Sequence, residues 1–395
     1  MARPNVLISG ASVAGPALAC FLARAGYAVT VVEIAPELRS GGYAVDFRGP
    51  THLTALRHLG IVDELRALQT GGNDIRVVDE ADRQLLVIPG ELTGGQIEVL
   101  RADLTRVLFD HTRDDVEYVF GDTVTALDVT GGGVDVVFER GAARTFDLVV
   151  GADGMHSTVR RLAFTPTEQR VTHLDYYIAG WNLPNVFGVG AEGLMHNVPG
   201  RMAVVGADRR DRERADALFV FASPRLEYDR RDVEQQMQII VDAYAGIGWK
   251  VPALLEHLPD APDLYFDSIS RVDVERWSRG RVVLLGDAAC GATVGGMGTG
   301  TAVVAAYVLA GELATAGGDH RLAFERYERT LRGYARECQK GGKRTASMLA
   351  PRTRLGLAAR NRLFDVPVLM RAMIKEGKRI SSTVDLPDYD LAATR

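Results

Sequence analysis

Cysteine is scarce in this chain. Cys20, Cys290 and Cys338 are the only three in 395 residues. Their spacing matches neither a zinc site nor a redox pair, and a disulfide framework is implausible, so a reducing, cytoplasmic setting fits. A surplus of one charge is also lacking. The 46 basic and 51 acidic residues leave a net charge of -5, with both signs mixed along the chain. That excludes the basic surplus of a nucleic-acid binder and argues against docking on anionic lipid. Long apolar runs are missing too. The longest, residues 301–310, stops at Gly311 and Glu312, well short of the ~20 residues a spanning helix requires. No charged-then-apolar leader precedes the first strand-like segment, and neither an internal repeat nor a low-complexity linker is visible. What is present is 47% hydrophobic residues and 42 glycines. This is enough for a large core, in a length that implies two intertwined or adjacent domains.

The glycines cluster where chemistry is expected. Asn5 to Ser9 reads as a short buried strand, residues 10–15 as a tight turn, Pro16 to Ala25 as a helix closed by Gly26, and Ala28 to Glu33 as a second strand. This is one βαβ unit with parallel pairing. Its turn reads Gly10-Ala11-Ser12-Val13-Ala14-Gly15, a dinucleotide fingerprint with Ser12 in place of the middle glycine. Gly10 makes the turn, the helix start offers free N–H groups to a pyrophosphate, and Gly15 lets helix and strand approach closely. Glu33 ends the second strand, where an acid takes the adenosine ribose hydroxyls; an acid there disfavours a 2′-phosphate, so FAD or NAD suits the slot better than NADP. Taken alone, the degenerate loop reads equally well as the glycine turn of any α/β protein.

Further along, Arg101 to His111 reads as a helix, residues 123–139 as a β-ribbon around three glycines, and Phe146 to Val150 as a buried strand. Residues 171–221 alternate apolar and polar side chains with turn signals, the pattern of an antiparallel sheet. Ile75 to Val78 and Gln84 to Ile88 form a hairpin, Asp232 to Tyr244 a helix, and Arg281 to Leu285 a last buried strand. Residues 301–314 and 322–349 read as helices, and Pro351 opens a final amphipathic stretch to about Ile380.

Four segments distant from the loop share one logic: Arg39, Gly42 and Val45 after Glu33; Arg101-Ala102-Asp103-Leu104; Gly151-Ala152-Asp153-Gly154 running to Arg160; and Gly286-Asp287-Ala288-Ala289. With the loop, they resemble the FAD-dependent monooxygenases of the p-hydroxybenzoate-hydroxylase-like group, which includes tetracycline-modifying enzymes. The resemblance runs from about residue 4 to residue 315. It implies an α/β fold with a Rossmann-like FAD-binding domain, an interleaved antiparallel-sheet substrate domain and C-terminal helices. The corresponding segments are 1–72, 98–168 and 272–345 for FAD, 73–97 and 169–271 for substrate, and 346–395 for the terminal helices.

The resemblance also implies roles. Gly10, Ser12, Val13, Ala14, Gly15, Glu33 and Arg39 belong to the adenosine and pyrophosphate end. Arg101 and Asp287 lie along the pyrophosphate and ribityl chain, and Asp153 belongs to a motif linked to both FAD and the nicotinamide cofactor. Gly296, Gly298 and Thr299 bring backbone N–H groups to the flavin ring, where only glycine permits close approach. The implied activity uses NADPH or NADH as a transient electron donor and O2 to hydroxylate an aromatic or polycyclic phenolic, polyketide-like small molecule through a flavin C4a-hydroperoxide. Catalytic side chains are not evident; Arg48 and His196 are weak candidates. Departures from the family pattern are Ile34, Cys290 and Val294. Two other readings stay open: a reductase or dehydrogenase on the same scaffold, and a non-catalytic flavin-binding protein. No metal is expected, and the chain is read as a monomer or homodimer.

Overall fold

The computed structural model describes residues 3–39, 44–207, 211–261, 264–294, 297–389 and 391. Its first sheet has six strands, in the order Ser278–Arg279, Val282–Leu284, Leu148–Gly151, Asn5–Ser9, Ala28–Glu33 and Glu117–Phe120. All neighbours pair in parallel apart from the short Ser278–Arg279 edge. A parallel sheet is covered on both faces, so its strands read as continuous apolar runs. Val6, Leu7, Ile8, Val282, Val283 and Leu284 accordingly have no exposed surface. Helices Ala14–Arg24 and Gly298–Thr315 pack together over this sheet. The second is buried almost all round, from Gly300 to Leu313, which is why it shows an unbroken apolar run instead of a stripe.

The second sheet has seven strands, in the order Tyr265–Val274, Gln169–Pro184, Arg214–Ala222, Arg201–Ala207, Gly193–Val198, Ile75–Val78 and Gln84–Ile88. It is antiparallel except where Gly193–Val198 meets Ile75–Val78. Side chains alternate between its two faces. On the back face Tyr177, Trp181, Phe219 and Phe221 form a core with Ile240, Tyr244 and Leu254, from helices Val233–Tyr244 and Val251–Glu256. On the front face Tyr176, Ile178, Met195 and Met202 pack with Ala346, Ala350 and Val294. Three strands, Val124–Val129, Val134–Phe138 and Arg144–Phe146, form a ribbon, and Ala44–Phe47 pairs antiparallel with Ile97–Leu100.

Two expectations differ in detail. The helix read over residues 322–349 is two helices, His320–Lys340 and Gly342–Leu349, divided at a pair of glycines, the weakest helix formers after proline. The final amphipathic stretch is likewise two helices, Arg354–Phe364 and Pro367–Ile380, the latter opened by proline at its first position. Among the described residues no helix is long and apolar enough to cross a membrane.

Candidate functional site

The turn after the first strand is as tight as its glycines require. Gly10 has φ +111°, and a Cβ there would lie 2.5 Å from the Ala152 carbonyl oxygen; at Gly15 it would lie 1.9 Å from the Gly10 carbonyl oxygen. Val13 and Ala14 are buried at the start of the following helix, whose first N–H groups lack intrahelical acceptors. Glu33 grips the turn from one side, its carboxylate accepting from the backbone N–H of Ala11 (2.8 Å) and of Ala35 (3.0 Å). Arg39, mostly exposed, comes within 3.9 Å of the same carboxylate. On the other side Arg101 donates twice to the Ser12 hydroxyl, from Nη2 at 2.9 Å and Nε at 3.2 Å. Ser12 thus does more than replace a glycine: its hydroxyl anchors an arginine beside the loop.

The two half-buried aspartates differ. Asp153 is saturated. It accepts from the Ser157 hydroxyl and from the N–H of Thr158 (2.7 Å) and Val159 (3.1 Å), capping helix Thr158–Ala163. Burial pushes its pKa up and these bonds pull it back. Its part here is to shape the loop after strand Leu148–Gly151. Asp287 follows Gly286, which has φ +62°, and among the described residues no hydrogen bond reaches its carboxylate. Burial raises its pKa, the Arg101 guanidinium opposes that, and Asp267 adds to it. A Cβ on Gly298 would lie 3.2 Å from Asp287 Oδ1, so the carboxylate sits against the start of the Gly298–Thr315 helix, behind Met297 at φ +53°. A half-buried carboxylate without protein donors leaves its lone pairs free to accept from a ligand. The hydroxyls of a ribityl chain lying between Arg101 and this helix would satisfy it, and the residues present therefore fit a flavin nucleotide. Gly298 and Thr299 open that helix; Gly296 lies outside the described residues.

Arg160 is the last residue of the Asp153 motif. Its guanidinium is buried and donates to the carbonyls of Ala288 (2.9 Å) and Met155 (2.7 Å) and to Gln169 Oε1 (3.0 Å). Burial lowers its pKa to about 10 despite Asp153 nearby. It fastens the Asp153 loop to the residue after Asp287, so the two motifs are one assembly.

The two catalytic candidates part company. Arg48 follows strand Ala44–Phe47 and is held by Asp46 and by the Leu92 carbonyl at 3.3 Å. His196 is buried on the back face of the seven-stranded sheet, its Nδ1 3.2 Å from the Val78 carbonyl and its ring stacked on Trp249 at 5.3 Å. It lies on the face opposite Val294. Tyr177, Trp181, Phe219 and Phe221 share that back face, whereas Tyr176 and Met202 belong to the front. Cys290 is no nucleophile, since burial pushes its thiol pKa well up.

The chain matches the family model described as an FAD binding domain over residues 3–346. It is 41% identical over 342 residues to an uncharacterized protein of Mycobacterium tuberculosis, Rv1260, covering 85% of this chain and 91% of that one. It is 35% identical over 344 residues to a flavin-dependent monooxygenase of Legionella longbeachae, covering 86% and 87%. The crystal structure of tetracycline destructase Tet(51) superposes with a TM-score of 0.88 at 30% identity, over 98% of this chain and all of the other.

Proposed function

Because this chain belongs to the FAD-binding-domain family of flavin-dependent monooxygenases, we propose that it hydroxylates a polycyclic, phenolic small molecule, with NADPH or NADH as a transient electron donor. FAD is its cofactor. When bound, FAD would supply the redox and oxygen-transfer chemistry, with the reduced nicotinamide as electron source and O2 as oxygen source. The protein's own work is placement. Glu33 faces the adenosine ribose, the Gly10–Gly15 amides and Arg101 the pyrophosphate, Asp287 the ribityl hydroxyls, and the Gly298–Thr315 helix start the flavin ring. Residues 1–72, 98–168 and 272–345 carry the cofactor, residues 73–97 and 169–271 the substrate side, and residues 346–395 form the terminal helical region, whose Ala346 and Ala350 pack on the front face and whose Tyr389 packs back on the FAD-binding core.

The Asp287 carboxylate, which accepts no hydrogen bond among the described residues and is set between Arg101 and the Gly298 helix start, is the observation that carries this reading. The substrate class is carried by the likeness to tetracycline destructase Tet(51), which superposes over 98% of this chain at 30% identity. Tyr176, Ile178, Met195 and Met202 are buried between the front face and Ala346 and Ala350, and hold the sheet in place beside the site.

The test is direct. Purified protein is loaded with FAD, its visible spectrum recorded, and NADPH and NADH oxidation and O2 uptake followed with tetracyclines and a panel of simpler phenols. The expected outcome is a yellow protein whose O2 uptake is stimulated by a polycyclic phenol, with one oxygen atom appearing in the product. Nicotinamide oxidation without oxygen incorporation from any substrate would overturn the hydroxylase reading in favour of a reductase.

A further inference from the structure

His52 belongs to no motif, yet three elements of the site converge on its ring. It has no exposed surface. Its Nδ1 lies 3.2 Å from the backbone nitrogen of Arg48, and a backbone N–H only donates, so Nδ1 carries the lone pair. The neutral ring then has its one proton on Nε2, which donates to the Tyr334 hydroxyl at 2.7 Å. Burial, with the charge of Arg48, lowers the ring's pKa to about 3, so this tautomer persists at neutral pH. The ring also lies against Gly300: a Cβ there would fall 2.1 Å from His52 Cε1. Tyr334 belongs to helix His320–Lys340, which is tied back to the first turn of the flavin-facing helix where the Thr301 hydroxyl meets the Cys338 sulfur at 3.7 Å.

We infer that His52 is a positioning residue, fixing the Arg48 turn and the start of the Gly298–Thr315 helix relative to each other and, through them, the flavin ring. The glycine at 300 is required because the imidazole occupies the space a side chain would take. Tyr334 in turn holds the imidazole from the far side. The helix start presents its positive end to the ring system, so a shift of the His52 anchor changes how well reduced flavin is stabilised. This inference rests on the placement of FAD proposed above.

The experiment compares wild type, Tyr334→Phe, His52→Leu and His52→Gln. For each, the FAD dissociation constant, the visible circular dichroism of bound flavin and the flavin midpoint potential are measured, beside a thermal melt. Tyr334→Phe keeps the ring that fills the core and removes only the acceptor, so it is expected to fold. It should bind FAD about fivefold more weakly, the equivalent of one ordinary hydrogen bond, with an altered flavin dichroism and a lower potential. His52→Leu should move all three further in the same direction, and His52→Gln, which can still donate to Tyr334, should recover part of the change. FAD-loaded variants with wild-type affinity, dichroism and potential overturn this inference alone. Wild-type protein that takes up no FAD overturns the proposed function as well.

Discussion

Acidification from pH 7 to pH 5 is expected to cost the protein about 2 kcal/mol of stability through His52 alone. The ring is wholly buried, and burial with the nearby Arg48 charge places its pKa at about 3, against 6.5 when free. As the pH falls through 6.5 the unfolded chain takes a proton on this ring, while the folded chain does not until about pH 3. The unfolded state therefore binds more protons across that window, so stability rises with pH there and is lost as pH falls. At pH 5 the gap below the free value is roughly 1.5 units, and at about 1.4 kcal/mol per unit this gives ~2 kcal/mol. The assay is urea unfolding of FAD-saturated wild type and His52→Gln at both pH values and constant ionic strength, followed by tryptophan fluorescence. Every other titrating group is common to both proteins and cancels in the comparison. Wild type should lose ~2 kcal/mol more than the variant. Equal losses would refute the argument, because they would mean that His52 gains its proton as readily in the folded protein as in water.

Other substitutions read out the remaining parts of the site. Asp287→Asn should weaken FAD binding by about 10-fold or more, since hydrogen bonds to a charged group contribute about 1.5–3 kcal/mol; fluorescence titration measures it. Gly15→Ala, whose Cβ would meet the Gly10 carbonyl oxygen at 1.9 Å, should yield protein that retains no visible flavin absorbance after loading with FAD and removal of the free cofactor. Arg160→Leu strands the Ala288 and Met155 carbonyls and should lower stability by ~3 kcal/mol, seen in the urea midpoint. Burial raises the thiol pKa of Cys20, Cys290 and Cys338, so iodoacetamide at pH 7 should add no mass to the folded protein.

The parts of the site legible in the sequence are those whose constraint is local. Gly10, Gly15 and Glu33 follow from a strand, a tight turn and a second strand within one βαβ unit. Asp287 stands out because an apolar strand ends abruptly in Gly286-Asp287. His196 shows where local reasoning stops. A period of two separates the faces of a strand, but which face meets the cofactor depends on whether helix Val233–Tyr244 covers the other, and that is settled far along the chain. His52 and Tyr334 left no signal because each sits in a helix where it reads as an ordinary residue, and only the tertiary fold brings them within 2.7 Å. Arg160 reads as a surface charge on a short helix until carbonyls from two loops close on it. The edge strand Glu117–Phe120 was missed for its brevity and for Glu117, whose charge is answered by Arg144 on the neighbouring ribbon.

The six-stranded sheet draws its strands from residue 5 through residue 284, and its covering helix begins only at Gly298. A polypeptide leaving the ribosome therefore displays its nucleotide loop long before the aspartate that completes the slot has been made. Cofactor capture must wait until roughly three quarters of the chain has been synthesised. A product terminated before Val282 would leave strand Leu148–Gly151 paired with Asn5–Ser9 on one side and bare on the other. Its bare apolar edge would favour self-association over flavin uptake.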